Sequence, residues 1–187
     1  MRQIQIVPLQ AEGVLLFLAY LNDHLSDNGR EQTPLFQPLS PSDSKVSDAM
    51  QLSFATGLTL EIDEVGWRRV WVARNELGNI VGHIDLRAHR ERHTSHRALL
   101  GMGVDRNHRR QGIGRLLMET AFEWANREAK LGFIDLQVLS QNQPAIKLYE
   151  KIGFRVIGEI EDMFRIEGNS YSYTLMCKVL QSNTDLD

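Results

Sequence analysis

Apolar and polar residues follow two different periods along the chain, and the change of period separates an N-terminal region from the rest. Before residue 66, apolar residues recur at helical spacing in Ala11–Leu21 and from Lys45 to about Thr56, after a short strand at 4–7. Residues 22–44 are rich in Asp, Asn, Gly, Ser and Pro. That composition predicts a long surface connection between the two helices.

Beyond Gly66 the pattern alternates between strand and helix periods. Strands are predicted at 69–73, 80–86, 98–104, 133–139, 154–161 and 171–179. Helices are predicted from Gly112 to about Leu131, which carries an apolar stripe, and from Gln143 to Ile152. This order predicts an α/β fold class: one mixed sheet with helices on its faces.

Composition limits the range of functions. A chain of 187 residues with 42% hydrophobic residues predicts a single domain over 1–187 with one core. The net charge of −3 is too small to attract nucleic acid or an anionic membrane. The apolar run Val14–Leu21 is shorter than the ~20 residues that span a bilayer. The single cysteine, Cys177, reads as a small core residue, and a cytoplasmic location is expected.

A glycine-containing loop joins the third strand after Gly66 to the long helix. Gly112 and Gly114 leave the backbone uncovered where the first helical N–H groups have no partner, and Arg109, Arg110 and Arg115 add positive charge. Such an amide cluster at a helix start binds phosphate well. A tight strand-to-helix turn explains the two glycines equally well, so both interpretations stay open here.

The loop lacks the features of two common nucleotide sites. A Walker A loop ends in Gly-Lys-Ser/Thr, whereas Gly114 is followed by Arg115 and Leu116. A dinucleotide loop needs three glycines and a later acidic residue, and only Gly112 and Gly114 fit. A metal-bound nucleoside triphosphate and a dinucleotide are therefore disfavoured.

Two segments together resemble the GNAT (GCN5-related N-acetyltransferase) superfamily. Val104 to Gly114 is similar to its motif A, and Asn142-x-Pro-Ala-x-x-Leu-Tyr149-x-x-x-Gly153-Phe154 to its motif B. The resemblance covers roughly 69–180, while 9–66 match nothing in it. It implies a twisted, mostly antiparallel sheet of six to seven strands, splayed at the centre, with helices on both faces. It also implies an acetyl-CoA-dependent N-acetyltransferase in which the helical, loop-rich residues 9–66 form the acceptor side.

The resemblance also implies which residues bind the cofactor. Backbone groups of the loop would hold the pyrophosphate, and the strand before it, with a bulge near Gly101–Gly103, would pair with the pantetheine arm. A backbone N–H near Gly103 or Val104 would meet the oxyanion. The implied cofactor-binding residues are Met102, Gly103, Val104, Arg109, Arg110, Gln111, Gly112, Ile113, Gly114, Arg115, Asn142 and Tyr149.

Two residues of the second motif have a structural interpretation beside the functional one. Asn142 suits a helix N-cap, with Pro144 in the first turn, and in the family it bonds to the CoA arm. Tyr149 belongs to the apolar stripe of its helix, and the resemblance makes its hydroxyl the general acid that protonates the departing thiolate. Tyr149 is therefore the expected catalytic residue.

The sequence does not identify a base for the amine. Family members often carry a glutamate where this chain has Leu99. His83 and Asp85 alternate on one strand and so share a face, which fits either a water-mediated base or a solvated strand face. No base is therefore named.

The Arg- and His-rich segment 87–97 predicts an exposed basic loop, with a patch that steers anions as the functional alternative. Its histidines lack the carboxylate or cysteine partners of a metal site, so no metal is expected. The expected acceptor is a small-molecule amine, with a protein N-terminus, a lysine or a non-catalytic CoA-binding role as alternatives. No nucleic-acid or membrane partner is expected, and a homodimer stays open.

Overall fold

A computed structural model describes residues 4–30 and 33–180 of the chain. Its seven strands are β1 (Gln5–Pro8), β2 (Arg68–Arg74), β3 (Ile80–Arg87), β4 (Arg97–Val104), β5 (Phe133–Leu139), β6 (Arg155–Ile166) and β7 (Asn169–Val179). Its four α-helices are α1 (Val14–Ser26), α2 (Asp48–Gly57), α3 (Ile113–Arg127) and α4 (Gln143–Lys151). Single 3-10 turns at Ala11–Gly13 and Arg106–His108 precede α1 and α3.

The strands form one seven-stranded sheet in the order β1-β2-β3-β4-β5-β7-β6. Every neighbouring pair is antiparallel except β4 and β5, which are parallel. The predicted α/β class and mostly antiparallel sheet are therefore confirmed. Residues 1–3, 31–32 and 181–187 of the predicted single domain lie outside the described residues.

Helices α3 and α4 cover one face of the sheet. Ile113 and Leu117 of α3 are fully buried against β3, where Gly82 provides the room. A Cβ at Gly82 would lie 3.1 Å from Ile113 Cγ2 and 3.2 Å from Leu117 Cδ1. The glycine thus lets α3 approach the strand closely, which fixes the start of α3 next to the end of β4.

Helices α1 and α2 cover the opposite face. Phe17 and Phe54 pack edge to face at 5.0 Å over Val70 and Val72 of β2. Helix α1 continues to Ser26, five residues beyond the predicted end at Leu21. The polar residues that predicted a loop there belong to the last turns of the helix.

The central feature is a split between β4 and β5. The two strands pair only at Arg97–Leu99 with Phe133–Asp135, after which β5 continues alongside β7 and β4 alongside β3. The predicted splay is confirmed. The predicted bulge is not, because the register of β3 and β4 runs unbroken from Arg87↔Leu99 to Gly82↔Val104.

One buried side chain fastens the long connection after α1. Asn28 is fully buried, and its amide group donates to the carbonyl oxygens of Gln37 and Leu39 and to Ser44 Oγ. Its Oδ1 accepts from the N–H groups of Phe36 and Gln37 at 2.7 and 2.9 Å. The connection predicted as a surface loop is therefore held against the end of α1.

Replacing Asn28 with Ala should lower the free energy of unfolding by about 2–4 kcal/mol, because several buried backbone groups lose their partner at once. Chemical denaturation would measure the change. Asn22→Ala is the matched control, since Asn22 accepts one exposed bond, from Val46 N–H at 3.0 Å. A loss for Asn28→Ala no larger than for Asn22→Ala would contradict the anchoring role.

Candidate active site

The loop before α3 presents backbone donors to the outside. Gly112 is the N-cap of α3 at φ 81°, in the left-handed region that favours glycine. The first intrahelical bond runs from Leu116 N–H to the Gly112 carbonyl at 3.1 Å. The amides of residues 113–115 lie before this bond and have no intrahelical acceptor. Among the described residues, no side-chain cap hydrogen bond is formed at this helix start. These amides form the donor cluster that the sequence predicts for phosphate.

The three arginines predicted to lie around the phosphate site, two in the loop and one in the first turn of α3, differ in their surroundings. Arg109 Nη2 donates to Asp27 Oδ2 at 2.8 Å, and Arg115 Nε donates to Glu119 Oε1 at 2.7 Å. Arg110 is exposed at φ 61° and forms no ion pair with any described residue. Arg110 is therefore the arginine of this set with its charge uncompensated.

Every second residue of β4 directs its backbone N–H and C=O groups towards the split. Asp105 N–H donates to the Val81 carbonyl of β3 at 3.0 Å, so in this register the odd-numbered residues bond towards β3. The N–H and C=O groups of Met102 and Val104 consequently point into the gap beside β5. Gly103 points its amide at β3, which removes it as the oxyanion donor expected from the sequence and leaves Val104.

Gly114 brings the two motifs together. A Cβ on Gly114 would lie 3.1 Å from Met102 Cε and 3.9 Å from both Val104 Cγ2 and Leu148 Cδ2. The start of α3, the end of β4 and the middle of α4 therefore meet at one point. Their meeting point is the end of the gap nearest the phosphate loop.

Asn142 is the N-cap of α4 and Tyr149 lies within the helix, as expected. Asn142 Oδ1 accepts from Ala145 N–H at 3.4 Å and caps the helix. The Tyr149 ring packs edge to face on Phe154 at 5.7 Å, and its hydroxyl bonds to none of the described residues. Burial raises the pKa of Tyr149 well above its ordinary value, so the phenol stays protonated. A protonated phenol is the form a general acid requires.

An aromatic and imidazole cluster lies over Gly103, and the sequence pattern does not predict it. Tyr20 and His24 of α1 lie against His83 of β3, with ring centroids 5.6 and 5.8 Å from it. Tyr20 Oη lies 3.2 Å from His83 Nδ1 and 3.4 Å from the Gly103 carbonyl oxygen. A Cβ on Gly103 would lie 2.8 Å from His83 Cε1 and would also overlap His24 Nε2. Glycine is required there because both rings occupy that space.

These two imidazoles make stability depend on pH. Burial lowers the pKa of His83 to about 3 and that of His24 to about 4, from an ordinary value of 6.5. Below pH 6.5 the two histidines bind protons in the unfolded chain but not in the folded chain. The free energy of unfolding therefore decreases as the pH falls from 6.5 to about 4. Each histidine contributes up to ~1.4 kcal/mol per pH unit in that range.

Chemical denaturation at pH 7.5, 6.0 and 5.0 would measure this loss. His24→Gln should make the pH dependence shallower, whereas His93→Gln, an exposed position, should leave it unchanged. A pH dependence that is the same in both variants would show that His24 is not responsible.

His83 and Asp85 share a face as predicted, but that face is buried and not solvated. They are only 5% and 4% exposed. Asp85 Oδ2 accepts from Arg87 Nη1 at 3.0 Å and lies 3.7 Å from Arg68 Nη1. An imidazole of lowered pKa is a poor base, and the Asp85 carboxylate is already occupied by two arginines.

Part of the basic segment 87–97 turns inwards, contrary to the exposed loop predicted. His89 Nε2 lies 2.9 Å from Asp135 Oδ2, and Arg97 Nε donates to the same oxygen at 2.8 Å. Asp135 is paired with Leu99 in the register of β4 and β5, which the sequence could not show. The carboxylate partner that the segment lacks locally comes from a strand 38 residues further on.

Cys177 is buried, as predicted, and lies 3.5 Å from Arg97 Nη2. Burial raises the pKa of its thiol, so it is not a ready nucleophile. Within residues 4–30 and 33–180, no three His, Cys, Asp or Glu side chains are arranged to hold a metal ion. The helices in the same residues are too short or too polar to cross a bilayer.

A seven-stranded sheet with helices on both faces and a split between β4 and β5 is the fold of the N-acetyltransferase class. The chain belongs to the acetyltransferase (GNAT) family, whose model matches residues 40–154, more than half of its length. The match begins inside the region 9–66 that the resemblance left unassigned, so residues 40–66 belong to the family pattern as well.

Individual relatives resemble the chain to different extents. The L-amino acid N-acetyltransferase AaaT of Escherichia coli K12 is 33% identical over 81 residues, which cover 43% of this chain and 50% of that protein. The chain thus matches about half the length of this curated relative. An acetyltransferase of the GNAT family from Streptococcus pneumoniae has a TM-score of 0.77 and 25% identity, covering 95% of this chain and 99% of the other. Spermidine N-acetyltransferase from Vibrio cholerae, in complex with CoA and spermine, has a TM-score of 0.70 and 19% identity, covering 95% and 96%.

Proposed function

We propose that the chain is an acetyl-CoA-dependent N-acetyltransferase that acetylates the primary amine of a small molecule. The split between β4 and β5 supports this proposal most directly. Backbone groups of Met102 and Val104 face the gap, and the uncapped amides of residues 113–115 lie at its end. An extended pantetheine arm would pair with β4 as an added strand while its pyrophosphate meets those amides.

The proposed chemistry uses backbone groups that face the gap and the hydroxyl group of Tyr149. A neutral amine nitrogen attacks the thioester carbonyl carbon, and the C–S bond breaks as the tetrahedral oxyanion collapses. The Val104 amide is oriented to donate to that oxyanion. The Tyr149 hydroxyl gives its proton to the departing thiolate and regains one from solvent, while the nitrogen releases its extra proton to water. No protein nucleophile takes part, consistent with a protonated Cys177.

A small acceptor is favoured by the cover over the α1 face of the sheet. Helices α1 and α2 lie on that face, and the segment held by Asn28 packs Phe36 against the same apolar cluster. The amino-acid acetyltransferase among the relatives supports the same class of acceptor.

The proposal can be tested with purified protein, acetyl-CoA and a panel of amines, by measuring free thiol and the mass of the product. Calorimetry would measure CoA binding separately. Amine-dependent thiol release with a product heavier by one acetyl group is the expected result. Tight CoA binding without amine-dependent release would instead indicate a non-catalytic CoA-binding module.

A further inference from the structure

The sheet face beneath α1 and α2 carries two buried carboxylates and three arginines. Asp85 is held by Arg87 and Arg68, with N–O distances of 3.0 and 3.7 Å. Asp135 is held by Arg97 through two nitrogen atoms. The three guanidinium groups exceed the two buried carboxylates by one positive charge, and a third carboxylate, that of the exposed Glu91, lies 3.9 Å from His89 Nδ1. A surplus charge at a half-buried site favours an anionic partner.

Arg87 is the arginine that lies at the split. A Cβ on Gly101 would lie 3.0 Å from Arg87 Nη1, so the guanidinium covers the α1 face of β4 at that residue. Gly101 is the second residue after Leu99, where β4 leaves β5. The glycine at 101 therefore makes room for a charged group at the edge of the gap.

The Arg87 guanidinium has donors to spare. Its Nη1 donates to Asp85, while its Nε and Nη2 bond to none of the described residues. The Arg87 side chain is 34% exposed, against 6% for that of Asp85 and 12% for that of Arg68. Asp85 thus orients the Arg87 guanidinium by accepting from its Nη1, and the edge formed by Nε and Nη2 is open to a ligand.

Tyr173 of β7 is on the other side of the gap. Its ring packs edge to face on Phe164 at 4.9 Å, which orients it. Burial raises the pKa of Tyr173, and the positive charge of Arg87 partly offsets that rise. Tyr173 pairs with Leu139 of β5, so its phenol lies on the β7 side of the gap, whereas Arg87 lies on the β3 side.

We infer that the acceptor amine carries a carboxylate, as a free amino acid does, and that Arg87 binds this carboxylate with its Nε and Nη2 groups. This inference rests on the proposed function and names its class of acceptor. A polyamine would instead bring positive charge to a site that already has one too many.

The test compares each protein amino acid that has a primary α-amine with its own α-amide as acceptor. Each concentration is expressed as that of the neutral amine, since conversion to the amide also lowers the pKa of the amine. With wild-type protein, kcat/KM for at least one amino acid should exceed that for its amide by on the order of 100-fold, the effect of one charge-assisted bidentate contact. Arg87→Gln should reduce that preference to below about tenfold, mainly through KM for the amino acid. Arg87→Lys should give an intermediate preference, because it keeps the charge and loses the fork.

Arg127→Gln is the matched control, since Arg127 is an exposed arginine on α3 paired with Glu123. CoA affinity, measured by calorimetry, should be unchanged in all the Arg87 variants, which shows that they are folded. Amides acetylated as fast as acids, or a preference that survives in Arg87→Gln, would overturn the inference and leave the acetyltransferase proposal standing. Acetylation of polyamines or peptides but of no amino acid would likewise overturn the inference about Arg87 and leave the acetyltransferase activity standing. Failure of every amine tested would overturn both.

Discussion

Tyr149→Phe is expected to lower kcat at least ~100-fold while leaving CoA affinity within about threefold. The substitution removes one hydroxyl and keeps the ring that packs on Phe154, so the fold should persist. The lost step is protonation of the thiolate, which raises the barrier of bond cleavage without changing the ground-state contacts. Stopped assays of thiol release would give kcat, and calorimetry would give the CoA affinity.

The matched control is Tyr171→Phe, a partly buried tyrosine of β7 that pairs with Phe164 in the register of β6 and β7. It should retain wild-type kcat. Because burial raises the pKa of Tyr149, the wild-type rate should show no alkaline decline from this residue below pH ~10. A kcat for Tyr149→Phe equal to that of the wild type at every pH would exclude the phenol as general acid.

Gly112→Val is expected to weaken CoA binding by on the order of 100-fold or more, since several amide-to-phosphate bonds depend on this one backbone conformation. Gly112 adopts φ 81°, and a β-branched residue is strained there whatever the space. Relief of that strain would turn the amides of 113–115 away from their common direction.

A second glycine gives an almost ideal control. Gly78 adopts φ 80°, and a Cβ there would also meet nothing within 4 Å. Gly78→Val should therefore cost a similar ~1–2 kcal/mol of stability without touching the loop. Calorimetric titration of CoA into both variants separates the two effects. Equal CoA affinity in the two variants would mean that the loop does not hold the pyrophosphate.

Most elements of the fold could be predicted because their residues repeat with a clear period. Strand β5 was predicted with the same ends as observed, and α4 within one residue. The end of α1 was misjudged because Asn22, Asp23 and His24 are typical of a loop. Asp23 and His24 remain helical because Asp23 pairs with Arg106, 83 residues away, and His24 is buried against β3. Such distant contacts leave no local pattern.

The candidate site was predictable only in part, for a related reason. Residues that bind through their backbone, such as those at 112–114, can be recognised in a sequence because they include glycine. The cluster of charged side chains cannot be recognised in this way, because Asp85 and Asp135 lie on different strands from most of their partners. A sequence can show that 87–97 is basic without showing that Arg97 and His89 share one buried carboxylate. The split itself was expected from the family resemblance, not from hydrophobic pattern.

The close packing at Gly103 also limits the order in which this chain can change over generations. Any side chain at 103 would overlap the rings of His24 and His83, so such a substitution arising first is eliminated as a folding defect. Loss of the imidazole at 24 alone would not admit a methyl group at 103, because its Cβ would still lie 2.8 Å from His83 Cε1. Both imidazoles must therefore change before a side chain at 103 is tolerated. A chain that keeps either histidine requires glycine at 103.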